Sequence, residues 1–184
     1  MLFPTHLLVA AGIGWLVSHR RLRDAPALPT SRTRPTDQTR PTGQTLSTGW
    51  LVAGAALPDV VDKPLGVLGV FDIYQSVGHS ALLAPVAIAL AASHRHGLAV
   101  AVGWGSHLAL DAFHIVVNGR ASDALFLAWP VVSRSDPLAI PPGEFALFYV
   151  GTPSFYVEIL LWLAALVVVG RSRFGVATGR GNGG

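Results

Sequence analysis

Apolar positions along this chain fall into five long runs separated by polar or proline-bearing segments, and runs of that length are the signature of membrane helices rather than of amphipathic surface helices. Residues 2–18 (LFPTHLLVAAGIGWLVS) form the first, closed by His19-Arg20-Arg21-Leu22-Arg23. The second runs from about Leu46 to Val61, short for a bilayer core of about 30 Å, so it either tilts, thins the membrane or continues into residues 64–71 as a re-entrant piece. The third covers about Ser76 to Ala92, the fourth about Gly97 to Val117, and the fifth about Ser154 to Val169. The expected fold is therefore all-α: one integral membrane domain over residues 1–184, a bundle of about five transmembrane helices.

Between the runs, residues 24–45 carry two imperfect copies of Arg-Pro-Thr-x-Gln-Thr, at 34–39 and 40–45. Such a segment cannot bury a core and is expected to be a flexible cytoplasmic linker. Residues 118–153 form a long outer loop with apolar patches, compatible with a lid over a site or with packing at the interface, and residues 174–184 form a flexible tail.

Composition agrees with this pattern. Of the 184 residues, 51% are hydrophobic and 12% charged, where a soluble domain carries about 25% charge, so a soluble monomer is excluded. The formal charge of +3 raises the question of nucleic acid, but the arginines cluster just beyond apolar runs and no nucleic-acid partner is expected. With the N-terminus outside, inside segments hold ten of the thirteen basic residues, from Arg20 to Arg180, and outside segments hold Lys63, Arg120 and Arg134. That bias predicts a multi-pass protein of the cytoplasmic membrane, N-terminus out and C-terminus in. Positive charge after the first run, not before it, argues against a cleaved signal peptide. No cysteine is present, which removes thiolate metal sites, disulfides and cysteine nucleophiles.

Ionisable residues inside apolar helices are costly and are functional candidates by default. Here they converge. His6 starts the first run, Asp59 and Asp62 end the second, His79 begins the third, His107, Asp111 and His114 lie in the second half of the fourth, and Glu158 is near the start of the fifth. Alternating helix direction brings all of them to one membrane face. His107, Asp111 and His114, at i, i+4 and i+7, lie within roughly 60° on one helical stripe, and Asp59 and Asp62 at i, i+3 also share a face. Imidazole and carboxylate together are the ligand chemistry of zinc, manganese or a similar divalent ion. Blander roles compete: Asp59 after Pro58 could mark a helix end, His114 could be interfacial, and Glu158 could favour the N-terminal end of its helix with Ser154 as cap. His19, His94 and His96, beside arginines, read as solvated. Ser80 and Ser106 neighbour histidines without a nucleophile elbow, which leaves serine catalysis a weak reading.

Thr5-His6, Leu57-Pro58-Asp59-Val60-Val61-Asp62-Lys63-Pro64, Gly78-His79-Ser80, Ser106-His107-Leu108-Ala109-Leu110-Asp111 and, more weakly, Trp129-Pro130 resemble the ordered signature of the YdjM-like family of membrane-bound proteins assigned as metal-dependent hydrolases. The resemblance spans about residues 1–130 and implies a membrane protein whose His and Asp positions ligate a metal. The chain departs from it at Gln75-Ser76-Val77-Gly78, where many members have Arg-x-x-Thr, so an anionic-substrate contact through that Arg is lacking. It also spaces its two acids by three residues, where many members have Pro-Asp-x-Asp.

The expected activity is hydrolysis by metal-activated water, with Asp59, His79, His107 and Asp111 as core ligands and His6 completing the shell or binding a second ion. Asp62 or His114 is the expected general base. A membrane lipid or lipid-linked ester or phosphoester is the expected substrate class, by location. The competing expectation is a non-enzymatic membrane protein that binds or conducts a cation or proton through the same cluster. Oligomeric state is not legible.

Overall fold

In a computed structural model the structure describes residues 2–23, 46–132, 140 and 142–179. The 24–45 linker with its repeats, Arg134 and Arg180 lie outside the described residues. Every element is helical and no strand occurs among the described residues, in agreement with the all-α expectation.

Six α-helices follow in chain order: α1 Phe3–Arg23, α2 Thr48–Val67, α3 Ala84–Ser93, α4 Gly97–Val117, α5 Pro142–Tyr149 and α6 Pro153–Gly179. A 3-10 turn, Ala81–Leu83, leads into α3, and a longer 3-10 stretch, Ala121–Ala128, follows α4. The second apolar run extends past its expected end, with Pro58 and Pro64 both inside α2. The third is shorter than expected, because Ser76–Ser80 wraps around a buried carboxylate before the helix can start. Within the expected outer loop, α5 and the 3-10 stretch are ordered helical pieces. α6 begins beside Thr152, whose Oγ1 accepts from Phe155 N at 3.4 Å; the capping role expected of Ser154 falls to Thr152 because Ser154 is engaged elsewhere.

Two helices, Gly97–Val117 and Pro153–Ser172, are long and apolar enough to cross a membrane. Only 11% of the second is buried against the rest of the chain, whereas the core helix of a soluble protein would be mostly buried. Leu160, Leu163 and Leu166 stand outward along it.

α4 is the central helix, packed against α1, α2, α3, the second 3-10 stretch and α6. Its approach to α2 is unusually close, and two glycines permit it. A Cβ at Gly54 would fall 2.2 Å from the Val100 carbonyl oxygen, and one at Gly103 would fall 2.1 Å from that of Leu51. Small residues at a helix interface let backbones meet where larger ones would hold them apart. The apolar core at this seam is correspondingly small: Ala10, Leu51, Ala55 and Ala99. One turn further along α4 from Gly103, the same seam turns polar, and the site begins at His107.

Candidate metal centre

His107 is fully buried and its Nδ1 lies 2.6 Å from the carbonyl oxygen of Ala55 in α2. A carbonyl can only accept, so Nδ1 carries the proton and Nε2 presents a lone pair. The glycine-enabled approach of α2 and α4 puts that carbonyl within reach. Pro58, which has no N–H, removes the helical hydrogen bond to the Gly54 carbonyl, one residue before Ala55.

His79 is oriented by a different device. Asp62, fully buried, accepts from the backbone N–H of Ser76, Gly78 and His79 at 2.7, 2.8 and 3.1 Å, and from His79 Nδ1 at 2.7 Å. The carboxylate organises the loop and fixes the ring in one step, again leaving the Nε2 lone pair outward. A carboxylate hydrogen-bonded to the far nitrogen of a histidine is the usual support of a metal-ligating imidazole. The general-base role expected for Asp62 is not what this geometry supplies: both oxygens are spent on the loop, and Asp62 is absent from the cavity wall.

The two Nε2 atoms face each other at 3.2 Å, with ring centroids 5.0 Å apart and edge to face. Asp59 Oδ1 lies 3.6 Å from His79 Nε2 and 3.9 Å from His107 Nε2, and Asp111 Oδ2 lies 3.4 and 3.6 Å from the same atoms. Each carboxylate oxygen thus lies near both imidazole nitrogens, and none of these atoms bears a hydrogen in this tautomer set. Lone pairs so arranged repel unless a proton or a cation lies among them. A tetrahedral ion with bonds of about 2.0–2.1 Å would space its donors about 3.3–3.4 Å apart, close to the 3.2–3.9 Å seen here. The residues fit a divalent ion. Asp59, His79 and His107 form one group able to hold it, and His6, His107 and Asp111 an overlapping second.

His6 is buried, stacked on the His107 ring at 3.9 Å, with Nε2 3.1 Å from Asp111 Oδ1. Its Nδ1 is buried with no hydrogen-bond partner among the described residues. Lys63 Nζ lies 2.9 Å from Asp59 Oδ2, and Gln75 Nε2 donates to Asp111 Oδ2 at 3.0 Å. Gln75 thereby takes a place on the Asp111 carboxylate. Lys63 was legible as an i, i+4 partner of Asp59; no sequence spacing pointed to Gln75.

His114, one turn beyond Asp111, is buried at the edge of the same cavity. Ser154 N donates to Asn118 Oδ1 at 3.2 Å, which fixes the amide so that Asn118 Nδ2 donates to Ser154 Oγ at 2.8 Å. The serine hydroxyl then donates to His114 Nδ1 at 2.7 Å, and the imidazole proton resides on Nε2. In this arrangement His114 Nε2 is a hydrogen-bond donor and has no lone pair for the base role expected from sequence.

Glu158 holds α6 to α1 and α5: it accepts from Leu2 N, from Thr5 Oγ1 and, at 2.5 Å, from Tyr149 OH. Burial and this hydrogen bond push the Tyr149 phenol above its ordinary range, so it stays a donor. Ser80 donates to the Trp129 carbonyl at 2.5 Å and accepts from Leu82 N, and Ser106 donates to Gly103 O; neither is a nucleophile. Of the histidines read as solvated, His19 and His94 are exposed, while His96 is half-buried against Trp50 at 5.0 Å.

The donor cluster opens on a cavity of about 360 Å³ walled by residues of α1, α2 and α4, by Tyr74 and Gln75, and by Arg120, Ile140 and Phe145. Comparison with protein-family models, with curated proteins and with solved structures finds no match to the chain. What defines it is therefore its own geometry: an all-helical apolar chain with a buried His/Asp cluster, able to hold a metal ion, at the base of one cavity.

Proposed function

We propose that this chain is a membrane-embedded metal-dependent hydrolase with Asp59, His79, His107 and Asp111 as ligands. The observation that carries the reading is a pair of imidazole nitrogens, locked from behind by Ala55 O and Asp62, that face each other with one oxygen of Asp59 and one of Asp111 each within 3.4–3.9 Å of both. A divalent ion held there would lower the pKa of a water and polarise the scissile carbonyl or phosphoryl oxygen. His79 and His107 supply neutral nitrogens, and Asp59 and Asp111 supply the charge that holds a dication. Asp62 is a positioning residue, and His6, Lys63 and Gln75 hold the ligating carboxylates in place. His114 Nε2–H is placed to donate a hydrogen bond to a departing oxygen at the cavity edge.

Two apolar helices, the outward leucines of α6 and the excess of arginine beyond apolar runs support a multi-pass protein of the cytoplasmic membrane. An ester or phosphoester on a membrane lipid is the substrate class such a location meets first. Conduction of a cation or proton is the weaker reading, because the cluster is closed below by the apolar contacts of Ala10, Leu51, Ala55 and Ala99.

The test is elemental analysis of detergent-purified full-length protein, beside Asp59→Ala and His107→Ala, with folding followed by circular dichroism. About one or two zinc or manganese ions per chain, lost in both folded variants, is the expected result. A folded wild type that neither retains nor rebinds metal overturns the reading.

A further inference from the structure

The cavity above the donor cluster has a charge pattern of its own. Its wall holds two carboxylates, Asp59 and Asp111, and two permanent cations, Lys63 and Arg120. Behind the wall Asp62 backs His79 and Asp123 pairs with Arg120, and a bound divalent ion would set two further positive charges beside Lys63 and Arg120. A neutral carboxylic ester would do nothing to balance them. A phosphate monoester, dianionic at neutral pH, would balance both.

The cations are placed to do this. Lys63 Nζ reaches Asp59 Oδ2 at 2.9 Å, so it stands beside the ligand set, and its ammonium has three N–H donors of which that oxygen takes one. Arg120 lies 3.7 Å from Asp123 through Nε, and its guanidinium offers five donors, more than one carboxylate can take up. The rest of the wall is apolar: Leu2, Phe3, Ile115, Ile140 and Phe145. A site with a dication and two basic side chains at one part of its surface and aliphatic and aromatic walls elsewhere matches an amphiphile with a phosphate head.

Resting on the hydrolase reading above, we propose that the substrate is a phosphate monoester carried on a long apolar chain, its phosphate oxygens received by Lys63 and Arg120. Water adds to phosphorus as the bond from phosphorus to the alkyl oxygen breaks. One water proton reaches the departing alkoxide through cavity solvent and the other stays on the phosphate, while His114 Nε2–H donates a hydrogen bond to the departing oxygen. The products are the alcohol and hydrogen phosphate.

The experiment uses full-length protein in detergent, loaded with zinc or with manganese, and measures calorimetric binding of dodecyl phosphate, dodecyl acetate and inorganic phosphate, with release of phosphate or acetate followed in parallel. Dodecyl phosphate is expected to bind and to be cleaved, inorganic phosphate to bind more weakly because it lacks the chain, and dodecyl acetate to do neither. Arg120→Gln is expected to weaken dodecyl phosphate binding about tenfold or more with metal content unchanged, and Arg120→Lys to recover part of it. Equal binding of inorganic and dodecyl phosphate overturns the lipid part of the proposal. Cleavage of dodecyl acetate but not dodecyl phosphate, or unchanged affinity in folded Arg120→Gln, overturns it while leaving the hydrolase reading intact. Failure of the wild type to hold metal overturns both.

Discussion

At the residue scale, each imidazole of the cluster has one nitrogen committed to a fixed partner, and the partner decides what the other nitrogen can do. His79 and His107 donate through Nδ1 and offer lone pairs, whereas His114 accepts at Nδ1 and offers a proton. Two predictions follow from that asymmetry. Asp62→Asn weakens the hold on His79 Nδ1–H, and metal affinity measured by chelator competition is expected to fall about 10–100-fold, short of the complete loss in His107→Ala. An unchanged affinity would mean that Asp62 serves only the loop. His114→Phe is expected to keep its metal and to lose more turnover on alkyl esters, whose departing oxygen gains most from an N–H hydrogen bond, than on p-nitrophenyl esters, which leave as stable phenolates. An equal loss on both would remove His114 from contact with the leaving group. These assignments were only half legible in the sequence. The i, i+4 and i+7 spacing marked His107, Asp111 and His114 as one stripe, but a tautomer is set by neighbours from other elements, and Ala55 O, Asn118 and Ser154 carry no spacing signal for it.

At the scale of elements, the site exists because α2 and α4 meet closely and because α5 is tied down across the cavity. Gly103→Leu forces a side chain into the Leu51 carbonyl, and a loss of more than about 2 kcal/mol in detergent thermal unfolding is expected, together with loss of metal as Ala55 moves away from His107. Gly105→Ala on the same helix meets nothing within 4 Å and is expected to be neutral or slightly stabilising, since alanine favours the helix. If both variants behaved alike, close packing would not be what positions His107. Tyr149→Phe removes one donor to Glu158 and is expected to cost about 1–2 kcal/mol. It should raise proteolytic cutting near α5 without altering metal content. Hydrophobic patterning found α1, α2, α4 and α6 because long apolar runs announce themselves. It overran the third helix, where Ser76–Ser80 leads straight into an apolar run but is held in a loop by Asp62.

At the scale of the whole molecule, the exposed leucines of α6 and the charge asymmetry bear on where the chain resides. Full-length protein is expected to stay with membranes through an alkaline carbonate wash. Because the native chain has no cysteine, single cysteines report sidedness cleanly. Val131→Cys, in the segment after the second 3-10 stretch, is expected to react with an impermeant maleimide in intact cells, and Ser172→Cys only after permeabilisation. The reverse pattern would invert the proposed orientation and put the cavity on the cytoplasmic side, with its chemistry unchanged.

The sequence by itself determined the helical class, the apolar character and the identity of the side chains that meet, because hydrophobic period and the cost of charge in apolar helices are local properties that composition and spacing expose. Only the tertiary structure decided how those side chains divide their work. Asp62 faces the loop and not the cavity, His114 carries its proton on Nε2, Gln75 supports Asp111, and Lys63 and Arg120 share a wall with the cluster. Each of these depends on a contact between residues on different elements, and such contacts are set by how closely the backbones approach, which here rests on the glycines at the seam of α2 and α4.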